Sequence, residues 1–372
     1  MLTHEFPPEP AGVGTSVASL AAAASALGHV VTVWAPDYDD TQPPPAGRFT
    51  VQRYHGGRFR ARNLGATLRR ARRATRDRSF DLVHAMDWPH VASLGFWNRF
   101  GVRAFQATAY GTEIVALRTS RLSRLLRAER AFHAATRICA ISAFTRDLLL
   151  RACPDVDADR IVVTPLGVEP FWFDAAGDAA PVRARLGIPP DRRVLLTVAR
   201  LDPRKGHRIV LAALAGLDRA LQESIVWVVA GKETDAAHAR ALRAQAATAG
   251  VPVVFTGGIS AADLRALYAD AAVFCLPGEP HPNKVEGFGL VFLEAAAQGT
   301  PALASRVDAI PEVVLDGRTG VLVPPRDAPA YAAALAALLA DPARLHALGQ
   351  AARLRARKFT WQRCAELTYG AP

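Results

Sequence analysis

Short apolar runs alternate with longer stretches of helical period along the 372 residues of the chain. In the first half, Val30–Trp34, Asp81–His84, Arg103–Ala107, Arg137–Ile141 and Ile161–Thr164 are too short for helices and are bounded by turn-forming residues. They predict buried strands. A helix is predicted over Val13–Leu27, and helical patterns fill most of the other intervals. The second half repeats the alternation, with strands predicted at Val194–Val198, Ile225–Ala230, Val253–Phe255, Ala272–Leu276 and Pro301–Ala304. Asp327–Leu339 and Pro342–Phe359 read as closing helices and Trp361–Thr368 as a short last one. Strands alternating with helices in this way predict an α/β protein whose parallel sheets are wrapped by helices. Met1–His4 reads as the end of a strand, because only about three residues precede a Pro/Gly loop, although the first strand of such a sheet sits centrally. Either the sheet tolerates a stub or the start codon lies upstream.

The rhythm breaks between Gly167 and Pro190, where FWFDAAGDAAP and GIPPD predict an interdomain linker. The expected organisation is a first domain over 1–168, a linker over 169–190 and a second domain over 191–357, with no sequence repeat between the halves. Half of the residues are hydrophobic, enough for two cores. No apolar run approaches the ~20 residues of a membrane span, and the Ala-rich Val17–Leu27 lacks the basic flank of a signal peptide. Cys139, Cys153, Cys275 and Cys364 lie far apart without a CxxC, which predicts reduced thiols in a cytoplasmic protein and neither a zinc site nor a disulfide frame.

Charge changes the picture through its distribution. The net charge is +11, yet only four of the 45 basic residues are lysines (Lys205, Lys232, Lys284 and Lys358), the signature of a GC-rich genome. Net charge therefore does not argue for a nucleic-acid partner, and none is predicted. Between Arg48 and Arg151, however, 21 arginines face six acids, so the excess belongs to the first half. Arg58–Arg78 and Leu117–Arg130 mix Leu and Ala with Arg at helical spacing. Arg69, Arg70, Arg72, Arg73 and Arg76 are expected to face an anionic surface while Leu64 and Leu68 anchor inward, a pattern of peripheral membrane contact. Solvated arginines on an Arg-rich helix are the competing reading.

The candidate chemistry centres on Gly278–Ala302, GEPHPNKVEGFGLVFLEAAAQGTPA, where Glu286 and Glu294 stand eight positions apart. The first half of the stretch is loop-like and a helix is predicted from about Phe288, stopping at Gly299. Two carboxylates so placed lie roughly 10 Å apart, which does not suit the opposed pair of a glycosidase. Between them the amides of residues 287–290 form a helix N-terminus that attracts phosphate. Acid, anion site and acid together make a cradle for sugar, diphosphate and ribose; an ordinary αβ unit with solvated ends is the alternative. In LLTVARLDPRKGH a buried strand delivers Arg200 to its carboxyl end and Lys205-Gly206 opens the next helix. Two cations there could clamp a diphosphate, or be solvated surface charges. Gly12 and Gly14 in PEPAGVG would let backbone approach a phosphate, although the loop is not GxGxxG. Tyr110-Gly-Thr-Glu113 puts a phenol and a carboxylate at a strand end, facing a cleft or forming a polar loop. Asp37-Tyr38-Asp39 spells DxD but runs into a PPP loop, and no metal is assigned to it.

Taken together, these residues resemble the family 4 retaining glycosyltransferases of the GT-B fold. HEFPPEPAGVG, AISAFTRDLL, TPLGVEPF, VARLDPRKG, VVAGKE, EGFGLVFLEA and DGRTGVLVPP carry the resemblance along nearly the whole chain. It implies two Rossmann-like domains facing a cleft, with the donor mostly on the second and residues 358–372 returning to the first. It implies that Arg200 and Lys205 bind the diphosphate, that Glu286 contacts the sugar hydroxyls and Glu294 the ribose, and that the amides of Phe288, Gly289 and Leu290 serve sugar and phosphate. Gly12 and Tyr110 fall at donor-side positions of the first domain and Glu113 on the acceptor side. Two departures are visible: Ala11-Gly12 where Gly-Gly is usual, and Tyr110 where many relatives have His. The expected activity is metal-independent, retaining transfer of a hexose from a nucleotide diphosphate sugar to a glycan or lipid-linked acceptor, without a cofactor, at the inner face of the membrane. The alternatives are a nucleotide-sugar epimerase of the same fold and a non-catalytic sugar-nucleotide binding protein.

Overall fold

The computed structural model describes residues 1–8, 12–38, 49–57, 59–101, 104–119 and 128–370. Asp39 of the DxD triplet and part of Leu117–Arg130 lie outside them. Two units emerge. The first holds Met1–Gly167, Pro282–Phe288 and Phe359–Pro372, and the second Val168–His281 and Gly289–Lys358. Among the described residues no helix is long and apolar enough to cross a membrane.

In the first unit all strands run parallel: β1 (Thr32–Pro36), β2 (Thr50–Tyr54), β3 (Val83–Ala85), β4 (Phe105–Ala109), β5 (Arg137–Ala140) and β6 (Ile161–Val163). β4 is buried at every position, as expected of an apolar run covered on both faces. Met1–Thr3 sits between β1 and β3 and pairs with both. The Met1 amine donates to Thr32 O (2.8 Å), Thr3 N to Trp34 O (3.1 Å), Leu2 N to His84 O (2.8 Å) and Met86 N to Leu2 O (2.9 Å). With the stub as first strand the order is that of a doubly wound sheet, and its centre is three residues long. β2 escaped sequence reading because TVQRY is an edge strand with alternating exposure and no continuous apolar run.

Below the stub's amino edge lies a hollow of about 760 Å³, bordered by Met1, Thr32, Leu82 and Val83. Burial pulls the Met1 amine down to about 5. The unfolded chain therefore binds the extra proton between about pH 5 and 8, and this group makes stability rise with pH across that window. Fusing a few apolar residues ahead of Met1 is expected to extend both ladders and fill the hollow, each ladder bond and buried side chain contributing on the order of 1 kcal/mol. Thermal melts at pH 5.5 and 8 check this: the extended protein should melt higher and lose that part of the pH dependence. An equal melting temperature at both rejects it.

The last helix, Trp361–Tyr369, is tied to this unit by a buried polar chain. His84 Nδ1 lies 2.8 Å from the Tyr369 hydroxyl, His84 Nε2 2.8 Å from Thr108 Oγ1, and Gln106 Nε2 donates to Thr368 O (2.9 Å). A Cβ on Gly167 would stand 2.2 Å from Trp361 N, so only glycine allows that approach.

The second unit is one six-stranded parallel sheet: β7 (Arg193–Val198), β8 (Ile225–Ala230), β9 (Val253–Gly257), β10 (Ala271–Leu276), β11 (Ala302–Ser305) and β12 (Gly320–Val323), ordered β12-β11-β10-β7-β8-β9. Its core gathers Leu195, Trp227, Leu242, Tyr331 and Leu335. Trp227 is fully buried because its indole N–H finds Thr197 Oγ1 at 2.9 Å, and that hydroxyl in turn donates to Cys275 O. Residues 169–190 belong to this unit. Within them Ala180–Leu186 is helical, Arg183 Nε meets Asp270 Oδ2 at 2.8 Å, and Arg265 Nη1 donates to Phe171 O at 2.9 Å. All four cysteines are free and buried.

Candidate functional site

In the second unit the chain winds one way from β7 to β9 and the other way from β10 to β12, so the topological switch lies between β7 and β10. Ligands of doubly wound sheets bind outside the carboxyl ends of the strands at this point. β7 ends there in Ala199-Arg200. A 3-10 turn, Pro203–Lys205, follows; Asp202 starts it by accepting from Arg204 N (3.0 Å), and Gly206 closes it at φ 74°. A Cβ on Gly206 would lie 2.9 Å from Pro277 Cβ at the end of β10. On the other side, Gly231 presses on the Arg200 stem: its Cβ would fall 1.9 Å from Ala199 O. The backbone carrying Arg200 and Lys205 is thus fixed from both neighbouring strands. Arg200 is exposed and Lys205 half-buried. Lys232, following β8 on the same edge, is a third, exposed cation; the sequence reading gave it no role, although a lysine in an arginine-dominated chain is a signal.

Gly289, at φ 93°, precedes the helix Leu290–Ala297, whose first amides have no intrahelical acceptor. Glu294 lies one turn further in. Its Oε2 accepts from the Tyr268 hydroxyl at 3.0 Å, and burial pushes its carboxyl up to about 7 against that bond.

In the first unit the equivalent switch lies between the Met1–Thr3 stub and β3, and here His4, Asp87 and His90 converge. Asp87 caps the helix Trp88–Asn98: Oδ1 accepts from His90 N (3.1 Å) and lies 2.8 Å from His90 Nδ1, and Oδ2 accepts from His4 N. The His4 ring stacks on His90 with centroids 4.2 Å apart. Burial opposes ionisation of Asp87, but the two histidines hold its carboxyl well below the usual range; burial brings His90 down to about 4. The donor atoms of the three lie within 4.8 Å of one another, a spacing that would suit a metal. The Asp87 oxygens are already met by His4 and His90, so the cluster reads as a hydrogen-bonded crevice floor. His90 Nε2 is buried there without a hydrogen-bond partner, and the Tyr110 hydroxyl is likewise buried without one. Sequence reasoning missed this cluster; its signal is HAMDWPH, with Asp and His three apart after a strand.

Two motifs singled out separately in the sequence meet in this unit. A Cβ on Gly287 would stand 2.1 Å from Tyr110 O, and one on Gly111 2.7 Å from Val285 Cγ2. The Val285–Gly287 strip, which carries Glu286, therefore lies flat on Tyr110-Gly111. The Phe288 ring packs 5.9 Å from that of Phe359. Glu286 and Phe288 are thus in the first unit, and Gly289, Leu290 and Glu294 in the second. Glu113 turns back on its own helix, Thr112–Thr119, where Oε1 accepts from Tyr110 N (2.5 Å) and Gly111 N (3.1 Å). Burial raises its carboxyl, and the amides oppose the rise. It holds the Tyr110 turn in place, which favours the polar-loop reading of this stretch over the cleft-facing one. Gly12 has open space around it; the close approach is made by Gly14, whose Cβ would lie 3.0 Å from Phe6 N.

The basic helix is Leu64–Arg76, and Thr67, Ala71, Ala74 and Thr75 form its buried face. Arg69, Arg72, Arg73 and Arg76 are exposed. Two expectations need correction. Leu64, at the helix's first position, is 47% exposed, so it does not anchor inward. Arg70 lies on the flank of the buried face and turns inward, its guanidinium 3.2 Å from the centre of the Tyr54 ring.

Residues 178–355 match the family described as glycosyl transferases group 1, and residues 10–170 match Glycosyltransferase Family 4. Over 304 residues the chain is 33% identical to the D-inositol 3-phosphate glycosyltransferase of Streptomyces scabiei, covering 78% of this chain and 67% of that one. The chain belongs to glycosyltransferase family 4. This family 4 chain is also 36% identical over 261 residues to the GDP-mannose-dependent alpha-(1-6)-phosphatidylinositol monomannoside mannosyltransferase of Mycolicibacterium smegmatis, covering 68% and 66% of the two. It spans about half to two thirds of the length of the curated relatives it matches. Its fold is GT-B. Anabaena Alr3699/HepE in complex with UDP and glucose superposes with a TM-score of 0.78 at 17% identity, covering 98% of this chain and 96% of that one. Sucrose-phosphate synthase from Thermosynechococcus elongatus does so at 0.78 and 24%, covering 98% and 95%. At those identities the likeness is one of fold.

Proposed function

We propose that this family 4 protein transfers a hexose from a nucleotide diphosphate sugar to a hydroxyl acceptor, with retention at the anomeric carbon and without a metal. The observation that carries the reading is the pair Arg200 and Lys205 on a turn held by Asp202, Gly206 and Gly231 at the second unit's switch point. Preorganised cations there stabilise the charge that develops on a departing diphosphate. In the proposed step the bond from C1 to the diphosphate oxygen breaks while the acceptor oxygen attacks C1 from the same face. The acceptor proton passes to the leaving diphosphate, whose charge Arg200 and Lys205 hold. Glu286 orients the sugar hydroxyls, Glu294 receives the ribose, and the amides of Phe288, Gly289 and Leu290 serve sugar and phosphate. Gly12 and Tyr110 complete the proposed set of donor-binding residues.

The names of two relatives support GDP-mannose as the first donor to test and a phosphorylated polyol as the first acceptor class. Incubation with GDP- and UDP-sugars, with and without inositol phosphates, followed by NMR of the anomeric carbon, tests the reading. A retained product only when acceptor is present supports it. An inverted product overturns the proposed stereochemistry, and donor conversion without acceptor would mark an epimerase. Turnover is expected to survive EDTA; loss on chelation with recovery on Mg²⁺ or Mn²⁺ rejects the metal-free assignment.

The location follows from the basic helix. Arg69, Arg72, Arg73 and Arg76 would hold the protein reversibly at an anionic leaflet, each contributing up to ~1 kcal/mol, which would bring it to a lipid-linked acceptor at the inner face of the membrane.

A further inference from the structure

Between β2 and the helix Leu64–Arg76 lies a hollow of about 290 Å³ bordered by Trp34, Arg53, Tyr54, Arg69, Arg70 and Arg73. Four arginines border it. None of them pairs with a carboxylate among the described residues. Two of them are fixed by their own partners. Arg53 donates Nη1 to Pro36 O and Nη2 to Pro7 O, both at 2.8 Å. Arg70 lies face-on against Tyr54, whose hydroxyl donates to Thr3 O (2.7 Å) and whose phenol burial keeps neutral. Arg70 Nη1 is buried with no hydrogen-bond partner. A partly buried guanidinium with an unmet N–H is costly unless an acceptor completes it.

We infer that this hollow is a binding site for a phosphate group, received by Arg69, Arg70 and Arg73. Guanidinium forks match phosphate oxygens in pairs. Tyr54 ends β2, and its ring stands 6.2 Å from that of His4 at the first unit's switch point, so a phosphate held here would leave the rest of its carrier beside that crevice. The inference rests on the transferase reading only for what carries the phosphate, namely the acceptor; the binding itself does not need it.

Calorimetry with inorganic phosphate and myo-inositol 1-phosphate tests a soluble source. Sedimentation with phosphatidylcholine vesicles, with and without phosphatidylinositol, tests a lipid headgroup. The variants are Arg69→Gln/Arg73→Gln, which opens the hollow at two exposed positions, and Arg72→Gln/Arg76→Gln, which removes the same charge from the same helix outside it. Saturable binding of the soluble phosphates, weakened at least ~10-fold in the first variant and retained in the second, supports the site; with phosphatidylinositol vesicles, where Arg72 and Arg76 also contribute to the leaflet contact, a larger loss in the first variant than in the second supports it. Equal loss in both variants reduces the effect to net charge and overturns it, as does binding that neither variant alters. The native protein's affinity for nucleoside diphosphates, measured alongside, reports on the transferase reading separately: phosphate binding without nucleotide binding would remove that reading and leave the site.

Discussion

Replacing Lys205 with alanine is expected to weaken the nucleotide-sugar donor and the free nucleoside diphosphate alike, by ~10–100-fold, the loss of a charge-assisted contact worth roughly 1.5–3 kcal/mol. The two ligands should suffer equally because the clamp acts on the diphosphate they share. The turn that carries Lys205 is shaped by the Asp202 cap and by Gly206 at φ 74°, so the variant should fold. Calorimetry with GDP and UDP measures the effect directly. Unchanged affinity for the diphosphate that the native protein binds would remove the clamp, and with it the account of how the leaving group's charge is held.

Glu294→Gln is expected to alter both stability and donor binding, with opposite signs. The carboxyl titrates at about 7 in the fold against an ordinary value of 4.5. The native state therefore holds the extra proton between those values, and this group costs stability as pH rises from about 4.5 to 7. Gln keeps an oxygen for the Tyr268 hydroxyl and never ionises. It should raise stability at pH 8 by roughly 1–2 kcal/mol, the shift being discounted because Glu294 is only half-buried, and by little at pH 4.5. Donor binding should move the other way. Ribose hydroxyls donate best to an ionised carboxylate, so native affinity should climb between pH 6 and 8 while the variant's stays flat and lower. Since the Met1 amine drives stability the opposite way over much of the same range, the difference between native and variant melts is the quantity to follow. A variant that melts no higher than native at pH 8 refutes the buried-charge account; identical donor affinity at pH 8 refutes the ribose contact.

Strands whose every residue is apolar and covered were legible from sequence. IVWVVA of β8 is buried at all six positions, and no helix of that length competes with it. β2 and β12 were missed for different reasons: TVQRY has exposed positions and no continuous apolar run, and GVLV was read only as part of a longer motif. The arginine turn of the second unit was legible because strand, cation and glycine are contiguous. His4, Asp87 and His90 were not, because a strand end and a helix cap more than eighty positions apart meet only when the sheet orders its strands. Arg70 illustrates a finer limit. It is adjacent to Arg69 and chemically identical, and only the helical phase set by Thr67, Ala71 and Ala74 turns one inward and the other out. Tyr110-Gly-Thr-Glu113 reads equally as a polar loop or as facing a cleft until the amides of Tyr110 and Gly111 are seen to claim the Glu113 carboxylate.

The four thiols give each unit its own chemical clock. Cys139, Cys153 and Cys364 lie in the first unit and Cys275 in the second, and all are buried to 2% exposure or less. Burial raises them, Cys153, Cys275 and Cys364 to about 12, so at neutral pH almost no thiolate is present in the folded state. A thiol-reactive probe can therefore modify a cysteine only when the surrounding core opens. Labelling of Cys275 follows opening of the half that carries Arg200 and Lys205, and labelling of the other three follows opening of the half that carries the arginine hollow. A nucleotide that slows the first without the second, or an inositol phosphate that does the reverse, would assign each ligand to its unit from mass spectra alone, with no substitution anywhere in the chain.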